Sequence, residues 1–354
     1  MPENPDIITR SHLATARAVD SLRRQLGIVL QEDNGTLLGA VPVEGLTPGL
    51  FSMIHALPAK RLQLLLTGAR ARMLGLDTEV RTVRIDAQNL TFPDLLALAD
   101  PLITPAPKVT IEPATPSHDL LLFMAKYASL LPAMLVIESA VLPQDWLRVS
   151  ISDINAYWAE PPLDIVPLAH AAMPVEGMES ATLACFRTRY GTSTHLVLTF
   201  GNIASAPLTR IHSSCITGDI LGSLRCDCGD QLKMALAQLH AEGGLLLYLH
   251  QEGRGIGIAN KLRAYQLQER GLDTYDANLA LGFDEDERDF GIAGAILKHL
   301  GIKQIRLLTN NPHKIAAIET ASIKVSERVP LIAESGSHNQ AYLDAKAKKS
   351  GHLF

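Results

Sequence analysis

Apolar positions along the chain gather into short continuous runs that alternate with stretches of helical spacing. In the first half, Gly27-Ile-Val-Leu30, Leu62-Gln-Leu-Leu-Leu66 and Ala133-Met-Leu-Val-Ile137 are too short for helices and predict buried strands. Asp119 to Leu131 has the spacing of a helix. A proline-rich stretch with Pro161, Pro162, Pro167 and Pro174 then breaks the pattern and places a domain boundary there. The second half opens on strand-like segments at Ala181–Arg187 and His195–Phe200. Leu232, Leu236 and Leu239 mark one face of a helix closed by Gly243-Gly244. Leu245-Leu-Leu-Tyr-Leu249 predicts a strand, and Ile258, Leu262 and Tyr265 begin another helix. Ile305-Arg-Leu-Leu308 is a later strand running into the turn Asn310-Asn-Pro-His313. Strands alternating with helices predict an α/β sheet.

Composition narrows the function classes. A chain of 354 residues is about two domains long, and 47% hydrophobic residues can fill two cores. The formal net charge of −5 argues against a general nucleic-acid or membrane-surface binder, so an anionic ligand needs a local basic cluster. Met1-Pro-Glu-Asn-Pro-Asp6 lacks the basic-then-apolar order of a signal peptide. The longest apolar stretch, Leu120 to Leu142, is interrupted by Lys126, Pro132 and Glu138, short of the ~18 uninterrupted apolar residues of a membrane span. The expectation is a soluble, cytoplasmic protein.

The four cysteines are Cys185, Cys215, Cys226 and Cys228, and the last three have the spacing C-x10-C-x-C. With no export signal, that clustering points to a metal before it points to disulfides. Thiolates suit zinc, and three protein ligands leave the fourth tetrahedral position for water, whose pKa then falls towards ~7. Asp227-Cys228-Gly229-Asp230 stands where the next helix starts, and the helix dipole there favours thiolate. A structural zinc knuckle would need a fourth ligand, for which Cys185 or His212 is available, although Cys185 reads as a core residue of a strand. Spacing alone leaves catalytic and structural zinc evenly balanced.

The surrounding residues carry a resemblance. Arg210-Ile-His-Ser-Ser-Cys215, Thr217-Gly-Asp219, Ser223-Leu-Arg-Cys-Asp-Cys-Gly229 and Gln231 resemble the zinc and substrate signature of GTP cyclohydrolase II. So do Gln251-Glu-Gly-Arg-Gly-Ile-Gly257, Asn260-Lys-Leu-Arg-Ala-Tyr265, Asp276-Ala-Asn278, Leu281-Gly-Phe283, Asp286-Glu-Arg-Asp-Phe290 and Leu308-Thr-Asn-Asn-Pro312. Tyr342-Leu-Asp344, Lys346 and Gly351-His352 close the series, so the likeness spans about residues 178–354. One position departs from it: the family has Glu after His-Ser, where this chain has Ser214.

The resemblance implies hydrolysis of GTP to formate, pyrophosphate and 2,5-diamino-6-hydroxy-4-(5-phosphoribosylamino)pyrimidine, the first step of riboflavin biosynthesis. It implies one Zn²⁺ per subunit on Cys215, Cys226 and Cys228, with activated water attacking C8 of the purine, and Mg²⁺ accompanying the triphosphate. Tyr265 would assist hydrolysis of the formyl intermediate. Arg288 would take the nucleotidyl phosphate as pyrophosphate leaves, with Asp286 as proton acceptor. Because an arginine pKa exceeds ~12, charge stabilisation of the leaving pyrophosphate is a rival role for Arg288. Arg210 and Arg254 would grip the triphosphate, and glycines 253, 255 and 257 would let the backbone approach it. The remaining GTP contacts carried over are Ile211, His212, Ser213, Ser214, Gln231, Glu252, Gly253, Thr274, Thr309 and Lys314. Without that context, Glu-Gly-Arg-Gly-Ile-Gly reads as a turn before a helix and Asp284-Glu-Asp-Glu287 as a solvated loop. A homodimer is also implied.

More faintly, the first half resembles 3,4-dihydroxy-2-butanone 4-phosphate synthase through Gly27–Leu30, Gly45-Leu-Thr-Pro48, Leu64-Leu-Leu-Thr67, Leu74-Gly-Leu76, Ile85-Asp-Ala87, His118 and Leu135-Val-Ile-Glu138. That synthase carries a dense acidic and arginine loop after its first strand, where this chain has only Gln31-Glu-Asp-Asn-Gly35. The expectation is a non-catalytic relic serving packing, dimerisation or regulation, with His118 a surface histidine and Glu138 an ordinary core-edge residue. The expected architecture is therefore α/β with two domains. Residues 1–160 form an α+β synthase-like domain, 161–177 a proline-rich linker, and 178–354 an α/β catalytic domain with a mixed sheet. Three rivals stand beside it. They are a paralogue releasing a formylated product, a non-catalytic zinc-stabilised nucleotide sensor, and a two-activity riboflavin enzyme, the last disfavoured by the missing acidic loop.

Overall fold

The computed structural model describes residues 10–159, 164–175 and 179–331. The segment Met1–Asp6, Pro161, Pro162, and the closing motif residues Tyr342, Asp344, Lys346, Gly351 and His352 lie outside the described residues. The chain divides into two compact units, each built from two stretches of sequence. The first comprises Met1–Pro162 and Ile256–Glu287, the second Leu163–Gly255 and Arg288–Phe354.

Among the described residues, the first unit holds a seven-stranded sheet: β1 (Ile28–Gln31), β2 (Leu37–Pro42), β3 (Arg61–Thr67), β4 (Thr82–Asp86), β5 (Glu112–Pro113), β6 (Ala133–Glu138) and β7 (Leu147–Ser150). Their spatial order is β5-β4-β3-β6-β2-β1-β7, antiparallel throughout except for the parallel pair β1 and β7. The three predicted strands are β1, β3 and β6. Their apolar runs are continuous because both faces of the sheet are covered. Val29, Leu64, Leu66, Leu135 and Ile137 enter one core, while Ile28, Leu30, Leu65, Met134 and Val136 enter the other.

The helix predicted from Asp119 runs over Pro116–Tyr127 and stops there, because the chain turns at Ser129 with φ of 61°. His118 is 4% exposed and not a surface residue. It stands three residues inside the helix, where its Nδ1 accepts from the backbone N–H of Thr115. Burial first, and the nearby Arg84 charge next, hold its pKa below the ordinary histidine value.

The stretch 256–287 belongs to this first unit although it follows the cysteine cluster in sequence. It contains the helices Gly257–Glu269 and Thr274–Ala280. The apolar residues that announce the first of these, Ile258 and Leu262, are 41% and 48% exposed; the buried face is Asn260, Lys261, Ala264 and Leu267. Ala264, Leu267, Ala277 and Phe283 share a core cluster with Leu131.

The second unit carries β8 (Ile165–Ala172), β9 (Ala181–Thr188), β10 (His195–Phe200), β11 (Leu208–Ser213), β12 (Gly244–Leu249), β13 (Gln304–Leu308) and β14 (Lys324–Val329). Their order is β14-β13-β11-β12-β10-β9-β8. β12, β11, β13 and β14 run parallel, whereas β10, β9 and β8 extend the sheet antiparallel, so the sheet is mixed. β8 lies in the stretch read from prolines as a linker. An edge strand tolerates Pro167 because the register slips between Pro167 and Ala169. Gly243 and Gly244 close the helix Cys228–Glu242 as predicted, with φ of 77° and 157°. A Cβ on Gly244 would stand 2.2 Å from the carbonyl oxygen of Leu208, so the entry into β12 requires glycine. No helix among the described residues is long and apolar enough to cross a membrane.

Candidate metal centre

In the second unit the parallel strands β11, β12 and β13 all deliver their carboxyl ends to loops that carry motif residues, the usual place for a ligand site in such sheets. β11 runs straight into Ser214 and Cys215, β12 into Gln251-Glu-Gly-Arg254, and β13 into Thr309-Asn-Asn311. Cys215 precedes the short turn of helix Ile216–Asp219, while Cys226 and Cys228 flank Asp227 at the start of the helix Cys228–Glu242.

The three thiol sulfurs lie within 4.8 Å of one another. Sγ of Cys215 and Cys226 are 3.7 Å apart. Zinc–sulfur bonds of about 2.3 Å give a tetrahedral edge of roughly 3.8 Å, which the Cys215–Cys226 pair already matches. A Cβ on Gly218 would meet Cys226 Sγ at 2.9 Å and Cys215 Sγ at 3.2 Å; glycine is what keeps the space open. The hydrogen bond with Cys215, and burial after it, push the Cys226 thiol up to about 11. A cation among the sulfurs would reverse that preference. Among the described residues no fourth His, Cys, Asp or Glu joins the group. Cys185 is half-buried on β9, and His212 turns its Nε2 to Asp219, at 3.1 Å from Oδ1.

Asp219, of the Thr-Gly-Asp motif, is the residue that organises this loop, a role that its type and position in the sequence do not announce. Its Oδ2 accepts the backbone N–H of Cys215 at 2.9 Å and the hydroxyl of Tyr248 at 2.9 Å. Tyr248 in turn stacks on His212 with ring centroids 5.6 Å apart and planes at 14°. Burial, then the Asp219 charge, raise the pKa of the Tyr248 phenol. Burial likewise lowers that of His212, outweighing the hydrogen bond to Asp219. The outer side of the loop is tied by Glu252, whose Oε2 accepts the N–H of Ile216 at 2.7 Å.

Arg210 is 5% exposed. Its two Nη atoms donate to the Leu308 carbonyl at 2.9 Å and to Gln231 Oε1 at 2.7 Å. Burial brings its pKa down to about 10. Gln231 also donates to Asp227 at 2.5 Å. The Ile211 side chain is fully buried in the core, and its carbonyl accepts from Lys314 Nζ at 2.8 Å, so only its backbone faces the site. Ser214 Oγ accepts the N–H of Gln251 at 3.2 Å, filling locally the position where the family has a carboxylate. Thr309 is buried, and its Oγ1 accepts from Asn311. Gly253 and Arg254 adopt φ of 63° and 61°, and Gly255 and Gly257 follow at 93° and 85°. Arg288 lies over the Phe290 ring at 5.0 Å.

Four buried polar atoms at these strand ends find no hydrogen-bond partner among the described residues: Arg210 Nε, His212 Nδ1, Ser213 Oγ and Gln251 Oε1. Such orphans cost ~1–3 kcal/mol each; Thr15 Oγ1, Arg84 Nε and Arg187 Nε are others elsewhere, but here four of them gather beside the thiols.

Tyr265, Thr274 and Asp286 belong to the first unit. Tyr265 lies on the helix Gly257–Glu269, with Lys261 Nζ 5.8 Å from its ring centre. Thr274 opens the next helix, and its Oγ1 accepts from Gln268 at 3.3 Å. Asp286 lies in the loop after that helix.

Comparison with known proteins agrees with this chemistry. A family model described as GTP cyclohydrolase II matches residues 167–330. GTP cyclohydrolase-2 of Azospirillum brasilense is 37% identical over 376 residues, covering 99% of this chain and 97% of that protein. GTP cyclohydrolase-2 of Helicobacter pylori (strain Shi470) is 53% identical over 176 residues, 49% of this chain and 90% of its own. The riboflavin biosynthesis protein RibBA of Bacillus mycoides (strain KBAB4) is 56% identical over 163 residues, 45% of this chain and 41% of its own. Among solved structures, RibBX, a two-domain 3,4-dihydroxy-2-butanone 4-phosphate synthase from A. baumannii, aligns with a TM-score of 0.32 at 15% identity. That alignment covers 90% of this chain and 99% of RibBX, at a score too low to bear on the fold. With a thiol triad of the right dimensions and a relative alike from end to end, the chain belongs to the GTP cyclohydrolase II family of hydrolases.

Proposed function

We propose that this protein hydrolyses GTP to formate, pyrophosphate and 2,5-diamino-6-hydroxy-4-(5-phosphoribosylamino)pyrimidine, as the committing step of riboflavin synthesis. The observation that carries the reading is the three-sulfur group with no fourth protein ligand among the described residues. Cys215, Cys226 and Cys228 would hold a zinc ion, which when bound would supply an activated water as the nucleophile for C8 of the purine.

The chain's own residues then divide the remaining work. Asp219 fixes the cysteine loop through the Cys215 N–H and orients Tyr248, while His212, held neutral by burial, closes the layer behind. Arg210 and Lys314 are buried cations at the ends of β11 and at the helix Pro312–Thr320, and favour an anionic ligand. Arg254, in its left-handed turn, is assigned to the triphosphate, and Gln231, Glu252, Gly253, Ser213, Ser214, Thr274 and Thr309 to nucleotide contacts. By their place in the motifs, Tyr265 assists deformylation, Arg288 meets the nucleotidyl phosphate or the leaving pyrophosphate, and Asp286 accepts the proton. Mg²⁺ enters with the triphosphate. A cytoplasmic homodimer with one zinc per subunit completes the proposal.

The first half we read as a synthase-like relic without its own reaction. The turn after β1 has no acidic cluster, and its one carboxylate of note, Glu32, is taken up by the Ser117 hydroxyl. Enolising a sugar phosphate needs carboxylates to hold a divalent cation and move protons.

Incubating the purified protein with GTP and Mg²⁺ and measuring formate, pyrophosphate and the pyrimidine tests the whole reading. Stoichiometric release of all three is expected, with formate lost in Cys226→Ser and by zinc chelation. Tight GTP binding without formate would instead make the protein a sensor, and a formylated product would make it a paralogue that stops early. Conversion of ribulose 5-phosphate would overturn the relic.

A further inference from the structure

The loop 281–287, which carries Asp286, is held at both ends by side chains that lie far away in sequence. At its start, the Thr67 hydroxyl donates to the Gly282 carbonyl at 2.9 Å, and Arg70 Nη1 donates to the Ala280 carbonyl at 3.3 Å. Gly282 has φ of +88°, and a Cβ there would meet Pro132 Cγ at 2.9 Å, so the chain enters the loop by one path only. Further along, Lys126 Nζ donates to Asp284 Oδ2 at 2.8 Å and to Glu287 Oε1 at 2.7 Å. The same Glu287 oxygen accepts the Asp284 N–H at 2.8 Å, which closes the loop on itself around the ammonium.

These bonds differ in weight. Lys126 is 13% exposed and Glu287 19%, whereas Asp284 is 64% exposed. The Lys126–Glu287 arm is therefore shielded from solvent and the Asp284 arm is screened. An isolated surface pair contributes little, but a lysine whose two partners bracket Glu285 and Asp286 restricts where the backbone carrying those two carboxylates can go.

We propose that Lys126 is a positioning residue for Asp286, so that the otherwise idle first half of the chain sets the geometry of the step in which pyrophosphate leaves. The inference rests on the assignment of Asp286 given under the proposed function. The stretch 256–287 that carries Asp286 belongs to the same compact unit as Lys126.

The test compares Lys126→Ala, Lys126→Arg and the double variant Asp284→Asn/Glu287→Gln in the full-length, zinc-loaded protein, with Asp286→Asn as reference. Misplacing a reacting group by ~1 Å can cost ~100-fold in rate. Lys126→Ala and the double variant should lower kcat for pyrophosphate release at least about tenfold with KM for GTP changed less than about threefold. Zinc content should not change. Lys126→Arg should restore most of the rate, because a guanidinium can bridge the same two oxygens. Wild-type kcat in the double variant, or loss in Lys126→Ala that Arg does not rescue, overturns the proposal while Asp286→Asn remains impaired. A fully active Asp286→Asn removes the assignment of Asp286 and this inference with it.

Discussion

The loop after β1 in the first unit and the loop after β11 in the second make opposite use of polar residues. After β1, the turn Gln31–Gly35 satisfies itself: the Asn34 side chain accepts the Thr36 N–H, and Glu32 accepts from Ser117. After β11, Arg210 Nε, His212 Nδ1 and Ser213 Oγ are buried without partners among the described residues, beside three thiols gathered within 4.8 Å. In the first loop Asn34 and Glu32 are already engaged, whereas buried groups left unpaired are tolerated where something else completes them. The same molecule thus shows one loop that gathers three thiols beside unpaired buried groups and one that gathers no such set.

Removing Asp219 breaks that contrast most severely, because the loop loses the acceptor that holds both the Cys215 N–H and Tyr248. Outer-shell partners of metal ligands are worth ~10–100-fold in metal affinity or activity, and Asp219→Ala should lower zinc affinity by about that factor. Metal titration against a competing chelator reads this directly. Asp219→Asn should lose less, since the amide oxygen can still accept one bond.

Acid sharpens the contrast within the second unit. His195 is 3% exposed on β10, where its Nδ1 accepts the His250 N–H. Burial, and then the neighbouring His250, bring its pKa down to about 4. The unfolded chain takes up this proton below its ordinary value of ~6.5, so folded stability is complete above that pH and is lost as pH falls towards 4. The contribution is up to about 3 kcal/mol. Denaturant titrations at steps from pH 7 to pH 4 should show it, and His195→Asn should flatten the slope.

The smallest effect on chemistry is expected in the first unit. His118→Ala removes a helix cap and a buried ring, for a loss of about 1–3 kcal/mol in stability. GTP turnover per folded molecule should stay within about twofold, since no step of the proposed reaction uses it. A selective loss of kcat in a fully folded His118→Ala protein would mean that the first unit takes part in turnover.

Much of this arrangement is legible without coordinates. Cys215, Cys226 and Cys228 point to a metal by type and spacing, and the fold brings their sulfurs within 4.8 Å of one another; β1, β3, β6, β10, β12 and β13 announce themselves as apolar runs. Asp219 was not singled out, because an aspartate in a loop gives no sign in sequence of the two donors that will converge on it. Ile258 and Leu262 announce the helix Gly257–Glu269, but which of its faces is buried is decided by packing, which turns Asn260 and Ala264 inward. Pro167 suggested a linker, but a proline breaks a strand only where its missing N–H is needed, and at an edge with a register slip it is not.

The sequence by itself determined the chemistry available: which ligands, which glycines, and which segments are strands, all carried by residues within one turn or one strand of each other. Only the tertiary structure decided ownership. It assigned the stretch 256–287 to the first half, brought Lys126 to a loop 158 positions away, and buried His118. Local spacing records which way a side chain can point, but the partner it meets is set by chain closure across the whole unit, and that information is spread over residues with no shared pattern.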